Sequence, residues 1–172
     1  MFHLGSMNWM PNQEGIRWFL TEVWPGLREQ FPELTFSLAG RSMPQWLLQN
    51  KQPGIIIDGE VADARRYMLE HQIMVVPLFS GSGIRIKIIE GMLMGKPVIT
   101  TPVGAEGIHY VDGEHLIIAR NAAEFIDAIA LCINQPLAAR QMGIAGRKLV
   151  LYKHDNQMLM QILTDFYQQI SG

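Results

Sequence analysis

The chain has 172 residues, 48% of them hydrophobic and 17% charged, with a formal net charge of −2 at pH 7. That is the size and balance of one packed domain, which excludes a disordered chain and leaves no overall basic field for holding nucleic acid. Cys132 is the only cysteine, so an intrachain disulfide and a thiolate zinc site are excluded, and a reducing, cytoplasmic setting is the natural reading.

No apolar run approaches the ~20 residues that cross a bilayer, and the N-terminus lacks the pattern of a signal peptide. Along the chain, short β-rich runs alternate with helical stretches, which predicts an α/β domain. Phe2 to Leu4 reads as a first strand, ended by Gly5-Ser6. Pro11-Asn12 opens a helix with Asn12 as its N-cap, and Ile16, Phe19, Leu20, Val23, Trp24 and Leu27 repeat at helical spacing. Leu34 to Ala39 forms a second strand, a short helix covers Trp46 to Gln49, and Gly54 to Ile57 forms a third strand ended by Asp58-Gly59.

A helix over Ala62 to His71 then leads into Ile73 to Phe79, a continuously apolar strand buried on both faces. The turn Ser80-Gly81-Ser82-Gly83 feeds a helix running to Met94, with Gly95 closing it. Val98 to Thr101 and Leu116 to Ala119 are the last strands. Helices follow over Ala122 to Asn134, Leu137 to Leu151 and Asp155 to Ile170. The whole predicts a Rossmann-like three-layer domain, residues 1–172, with a mostly parallel sheet of about six strands flanked by helices. Such a sheet binds ligands at the carboxyl ends of its strands, and one layered domain supplies only one wall of that crevice. A partner domain is therefore expected.

The stretch Val76 to Met92 carries the chemistry. It reads as a buried strand, a glycine-rich turn and a helix whose first amides point at the turn, an arrangement that binds anions. Gly81 and Gly83 let a phosphate come close to the backbone. The turn lacks the third glycine of the dinucleotide fingerprint and the Gly-Lys-Ser/Thr ending of a P-loop, so by itself it is equally an ordinary strand-to-helix connection. The helix adds charge to an otherwise apolar surface. Arg85 sits in the first turn, free to swing toward an anion, while Lys87 and Glu90 share a narrow stripe. The functional reading gives Arg85 and Lys87 to a diphosphate and Glu90 to sugar hydroxyls. The plain alternative is a Lys87–Glu90 helix pair worth ~0.3–0.5 kcal/mol with Arg85 snorkelling.

These residues resemble the retaining GT-B glycosyltransferases known as glycosyltransferase group 1, or family 4. The matching text runs through Gly5 to Asn12, Val76 to Phe79, Gly81 to Glu90, Met94 to Gly107 and Asp112 to Leu116. The resemblance covers the family's C-terminal, donor-binding half, which leaves the N-terminal acceptor domain outside this chain. It implies transfer of a sugar, with retention, from a UDP-, GDP- or ADP-linked donor to a glycan or lipid-linked acceptor in glycan, polysaccharide or glycolipid biosynthesis. The implied setting is the cytoplasm, the whole enzyme lying peripherally at a membrane, and this half alone is expected to transfer little sugar. Glu90 matches the second glutamate of the family's Glu-x7-Glu motif, which holds ribose hydroxyls. The first glutamate falls on Ser82, which offers a hydroxyl but no charge. The arginine and lysine that family members often carry after the first strand are missing between Gly5 and Ile16, so Arg85 and Lys87 are expected to supply that charge from across the cleft.

The same resemblance puts Gly5 and Ser6 on the phosphate side, backbone around Gly59 and Val61 at the nucleobase, and Ser82, Gly83 and Ile86 along the donor. Gly104 to Gly107 is expected to edge the site, with Glu106 facing solvent, and Trp9 to stand in a loop beside it. His3, His71, His109, His115 and His154 contain no i,i+4 ligand pair, and each reads as a surface or capping residue. No metal and no cofactor beyond the donor is expected, and no residue of this half stands out as catalytic. The apolar stripe of Asp155 to Ile170 is expected to cross to the missing domain or to build a homodimer. A non-catalytic nucleotide-sugar-binding module and a GT-B-type epimerase remain as alternatives.

Overall fold

The computed structural model describes residues 1–153. The predicted helix from Asp155 to Ile170, His154 and the homodimer contact drawn from that helix lie outside the described residues. Six strands form one sheet in the order β3-β2-β1-β4-β5-β6, and every pairing is parallel. They are β1 Phe2–Leu4, β2 Phe36–Ala39, β3 Ile55–Gly59, β4 Met74–Val76, β5 Val98–Thr100 and β6 Ile117–Ile118. The helices are α1 Met10–Trp18, α2 Trp24–Gln30, α3 Gln45–Leu48, α4 Ala64–Glu70, α5 Ile86–Leu93, α6 Ala122–Asn134 and α7 Pro136–Lys153.

Both faces of the sheet are buried because successive residues of each strand point opposite ways. Phe36, Leu38, Val75 and Ile99 join one core with Ile16, Phe19, Trp24 and Phe125 from the helices. Phe2, Met74, Val76 and Val98 join a second core with Ile88, Ile89, Met92 and Met68. The domain therefore has the expected three layers, with α1, α2 and α6 on one face and α4 and α5 on the other. The predicted apolar stripe from Ile16 to Leu27 is fully or nearly fully buried. Its helix is continuous through a π-helical turn, Phe19–Val23, just before Pro25. Pro25 lacks an N–H and crowds the preceding turn, and the widened turn makes room for it.

Several boundaries differ from the sequence reading by a residue or two, and three of the differences bear on the site. Asn12 is not the N-cap of α1. That position belongs to Trp9, because Pro11 fits the first turn of a helix, and Asn12 turns inward to donate from Nδ2 to the Ser6 carbonyl at 2.7 Å. The strand expected over Ile73 to Phe79 pairs only over Met74–Val76, since Pro77 has no N–H for the ladder. The helix expected from Ile84 begins at Ile86, because Gly83 takes φ 85° and Arg85 is extended at the cap. Gly95, at φ 67°, then closes that helix as predicted.

Candidate functional site

Strand order reverses between β1 and β4, so the chain leaves these neighbours toward opposite faces: β1 leads to α1, and β4 leads to α5. A crevice opens at the carboxyl ends between them, the usual ligand position in an open parallel sheet. Backbone bonds zip the bordering loops together. Gly5 N–H donates to Ala39 at 3.0 Å, Gly40 N–H to Gly59 at 2.7 Å and Met7 N–H to Arg41 at 2.8 Å. Gly40, at φ 146°, permits this approach, for a Cβ there would stand 2.0 Å from the Gly5 carbonyl oxygen.

A cleft of about 310 Å³ lies over these loops, lined by Gly5, Ser6, Arg41, Glu60, Val61 and Glu90 among others. Four of the residues singled out in the sequence (Gly5, Ser6, Val61 and Glu90) thus share one cavity. Gly59 sits beside it through its bond to Gly40, at φ 70° and with open space at its Cβ position. Burial raises the Glu90 carboxyl above its ordinary range. No ion pair joins Glu90 to Lys87 among the described residues.

Lys87 instead reaches back across the crevice. Its ammonium donates to Asn12 Oδ1, lies 5.7 Å from the Trp9 ring centroid, and stands 2.9 Å from where a Gly5 Cβ would be. A cation is thereby placed against the loop after β1, where the sequence itself has none. Burial, and then the neighbouring Arg85 charge, push the Lys87 ammonium down to about 7.

Arg85 departs from the sequence reading. Rather than swinging out from the first helical turn, it is 6% exposed and occupies the cap position before α5. Its Nη1 donates to the Ser82 carbonyl at 2.5 Å, and its guanidinium lies 5.2 Å from the Trp9 ring centroid. Its Nε and Nη2 have no hydrogen-bond partner. Buried donors of a charged group left unmatched are costly, and an anion at the crevice would satisfy them. Ser82 and Gly83 are exposed on the loop, Gly83 has open space at its Cβ position, and Ile86 is half-exposed at the start of α5. Arg85 makes no side-chain cap, so the first amides of α5 stay available at this end.

Other residues emerge only in three dimensions. His3 is not a surface or capping residue. It is fully buried in β1, bonds through Nδ1 to the Val75 carbonyl at 2.8 Å, and leaves Nε2 unpartnered 3.1 Å from the Gly5 Cβ position. Burial, then the Lys87 charge, hold it well below its ordinary pKa, so the imidazole is neutral. Arg41 lines the cleft and pairs with Glu60 at 2.8 Å. Its signal was its place directly after the strand-ending Gly40. Glu14 accepts from Ser80 Oγ at 2.9 Å, tying α1 to the glycine loop. The loop Gly104 to Gly107 meets the segment before α5 at Gly107, which packs on Ile84, and Glu106 is exposed. Among the described residues no group of three His, Cys, Asp or Glu side chains could hold a metal, and no single helix is long and apolar enough to cross a membrane.

The sequence model of the family described as Glycosyl transferases group 1 matches residues 1–135. A phosphatidyl-myo-inositol mannosyltransferase of Mycobacterium leprae is 26% identical over 140 residues, 76% of this chain and 37% of the relative. Among solved structures, the C-terminal domain of the glycosyl transferase group 1 family protein LpcC from Francisella tularensis superposes with TM-score 0.72 at 20% identity, over 91% of this chain and 86% of that one. Anabaena HepE in complex with UDP-glucose superposes with TM-score 0.74 at 16% identity, over 99% of this chain and 48% of that one. These two likenesses establish a shared fold. The chain spans about a third of the length of the curated relatives it matches.

Proposed function

Because the chain belongs to the group 1 glycosyl transferases, we propose that it is the donor-binding half of a two-domain retaining glycosyltransferase. The acceptor would be held by an N-terminal domain beyond this chain. The observation that carries this reading is the line of groups along α5. Glu90 lines the nucleoside-sized cleft, Lys87 stands against Gly5 one turn away, and Arg85 waits with two unmatched donors at the helix start.

Glu90 accepts the pentose hydroxyls, and the backbone around Gly59 and Val61 borders the base. Lys87, Arg85 and the first amides of α5 take the diphosphate with Gly5, Ser6, Ser82, Gly83 and Ile86 beside it. When the sugar departs, negative charge grows on that diphosphate, and preformed cations and amides stabilise it without reorganisation. The work falls to basic side chains and the helix start, with no step assigned to a metal. The UDP-glucose complex of HepE supports a nucleotide-sugar donor. We place the enzyme in the cytoplasm, in polysaccharide or glycolipid assembly.

A thermal-shift panel of UDP, GDP, ADP and their sugar forms tests the reading. One nucleoside diphosphate should raise the unfolding temperature by several degrees at about 100-fold over its Kd, equivalent to ~2.7 kcal/mol. No shift with any of them at millimolar concentration would end the proposal. Glu90→Gln should weaken the nucleoside diphosphate about 10-fold or more, the loss of a hydrogen bond to a charged acceptor, while leaving inorganic pyrophosphate untouched. Equal losses for both ligands would remove Glu90 from the pentose.

Lys87 makes binding depend on pH. Its folded-state pKa, about 7, lies below the ordinary 10.5, so the amine is progressively neutral above pH 7. A diphosphate favours the charged form, so affinity should fall by up to about tenfold per pH unit above pH 7. Without ligand the trend is opposite. Between pH 7 and 10.5 the unfolded chain holds the extra proton, so this group's contribution to stability rises with pH across that window. Titration calorimetry at pH 6.5 and 8.5 reads the first effect, and Lys87→Met should abolish it.

A further inference from the structure

We propose that Glu14, reaching from α1, is the carboxylate that recognises hydroxyls of the donor's sugar. The proposal rests on the diphosphate reading above and extends it past the phosphates.

Glu90, Lys87 and Arg85 follow one another along α5 to its cap, which leads to the glycine loop. Glu90 is in the cleft with Gly5, Ser6 and Val61. One turn toward the start of α5, Lys87 stands at Gly5 and Asn12. Next comes Arg85, bonded to the Ser82 carbonyl and packed with Trp9 against Gly81. Ser80 opens the same glycine loop, and its hydroxyl donates to Glu14 Oε2 at 2.9 Å. A nucleoside in the cleft and phosphates at Lys87 and Arg85 leave the sugar at the far end of this line, beside the glycine loop. That loop offers hydroxyls at Ser80 and Ser82 but no carboxylate of its own.

Glu14 supplies one from the neighbouring helix. It is exposed, among the described residues it forms no ion pair, and the Ser80 hydroxyl holds one of its oxygens. A carboxylate fixed through one oxygen presents acceptor positions on the other, the arrangement that grips adjacent sugar hydroxyls. A surface carboxylate with only a structural role would act on the loop alone and would not distinguish a nucleotide from its sugar form.

The test is the ratio of two affinities, measured by calorimetry on the full chain with UDP against UDP-glucose and GDP against GDP-mannose. Glu14→Ala and Glu14→Gln should each weaken the sugar form about tenfold or more while leaving the bare nucleotide within twofold. Ser80→Ala should give a smaller loss of the same kind. Thermal unfolding of each variant confirms that the fold is retained, as expected for an exposed side chain. If both ligands weaken equally, or neither weakens, Glu14 does not meet the sugar. If the unaltered chain binds none of the four probes, nor ADP or ADP-glucose, the donor-site reading itself is wrong and this proposal falls with it.

Discussion

Replacing Arg85 and Lys87 together by alanine is expected to weaken nucleoside-diphosphate binding by about 10²–10⁴-fold. Each cation contributes a charge-assisted hydrogen bond worth roughly 1.5–3 kcal/mol when its partner is desolvated. The structure makes the two cooperate. Both pack against the Trp9 ring, at 5.2 and 5.7 Å, and the Arg85 charge raises the cost of charging Lys87 until an anion arrives. An anion relieves that repulsion on binding, so either single substitution forfeits the relief together with its own bond, and the two single losses should sum to more than the double in free energy. The stability effect is expected to be modest. Alanine removes the bonds to Ser82 and Asn12 and two contacts with Trp9, but it also removes a desolvated ammonium and two unmatched guanidinium donors. Calorimetry with UDP, GDP and ADP, beside thermal unfolding of the same samples, reads both quantities. Double-variant affinity within fivefold of the unaltered chain would take the diphosphate away from these residues.

Much of the fold was legible because its signals are local and repeated. The stripe from Ile16 to Leu27 has one period and one buried side, and the apolar run at Met74 to Val76 has the two buried faces of a central parallel strand. Helix α6 follows a capping asparagine, Asn121, that accepts from the Glu124 amide at 3.0 Å. Boundaries shifted where a backbone constraint outranked the apolar pattern, at Pro11, Pro77 and Gly83.

The site was legible in its residue types but not in its contacts. Glu90 could be placed from its spacing after the glycine turn. That Lys87 would seek Asn12, 75 residues earlier, depends on β1 and β4 being neighbours, which no local pattern states. His3 shows the same limit, since one histidine in a three-residue strand carries no sign of being central. Arg85 was misplaced because a two-residue delay in the helix start turned a first-turn side chain into a cap folded under the loop.

Gly15→Ala is expected to be among the most damaging single substitutions, although helix propensity alone would favour it by up to ~1 kcal/mol. A Cβ at Gly15 would stand 1.6 Å from the Pro77 carbonyl oxygen and 2.8 Å from its carbon. Both atoms are backbone at the end of β4, so no rotamer change relieves the clash, and α1 must move away from the sheet. Overpacking of this kind costs typically 1–3 kcal/mol and occasionally more, which outweighs the propensity gain. For a domain of this size the net loss lowers the unfolding temperature by roughly 2–4 °C per kcal/mol. Gly26→Ala is the matched control. Its Cβ would meet the end of the Ile126 side chain at 2.8 Å, and that methyl can turn aside, so stability should stay near that of the unaltered chain. The same seam carries the bond from Asn12 to Lys87, so displacement of α1 should also weaken the nucleotide in the Gly15 variant alone. Equal unfolding temperatures for the two variants would mean that helix and strand do not approach each other as closely as Gly15 permits.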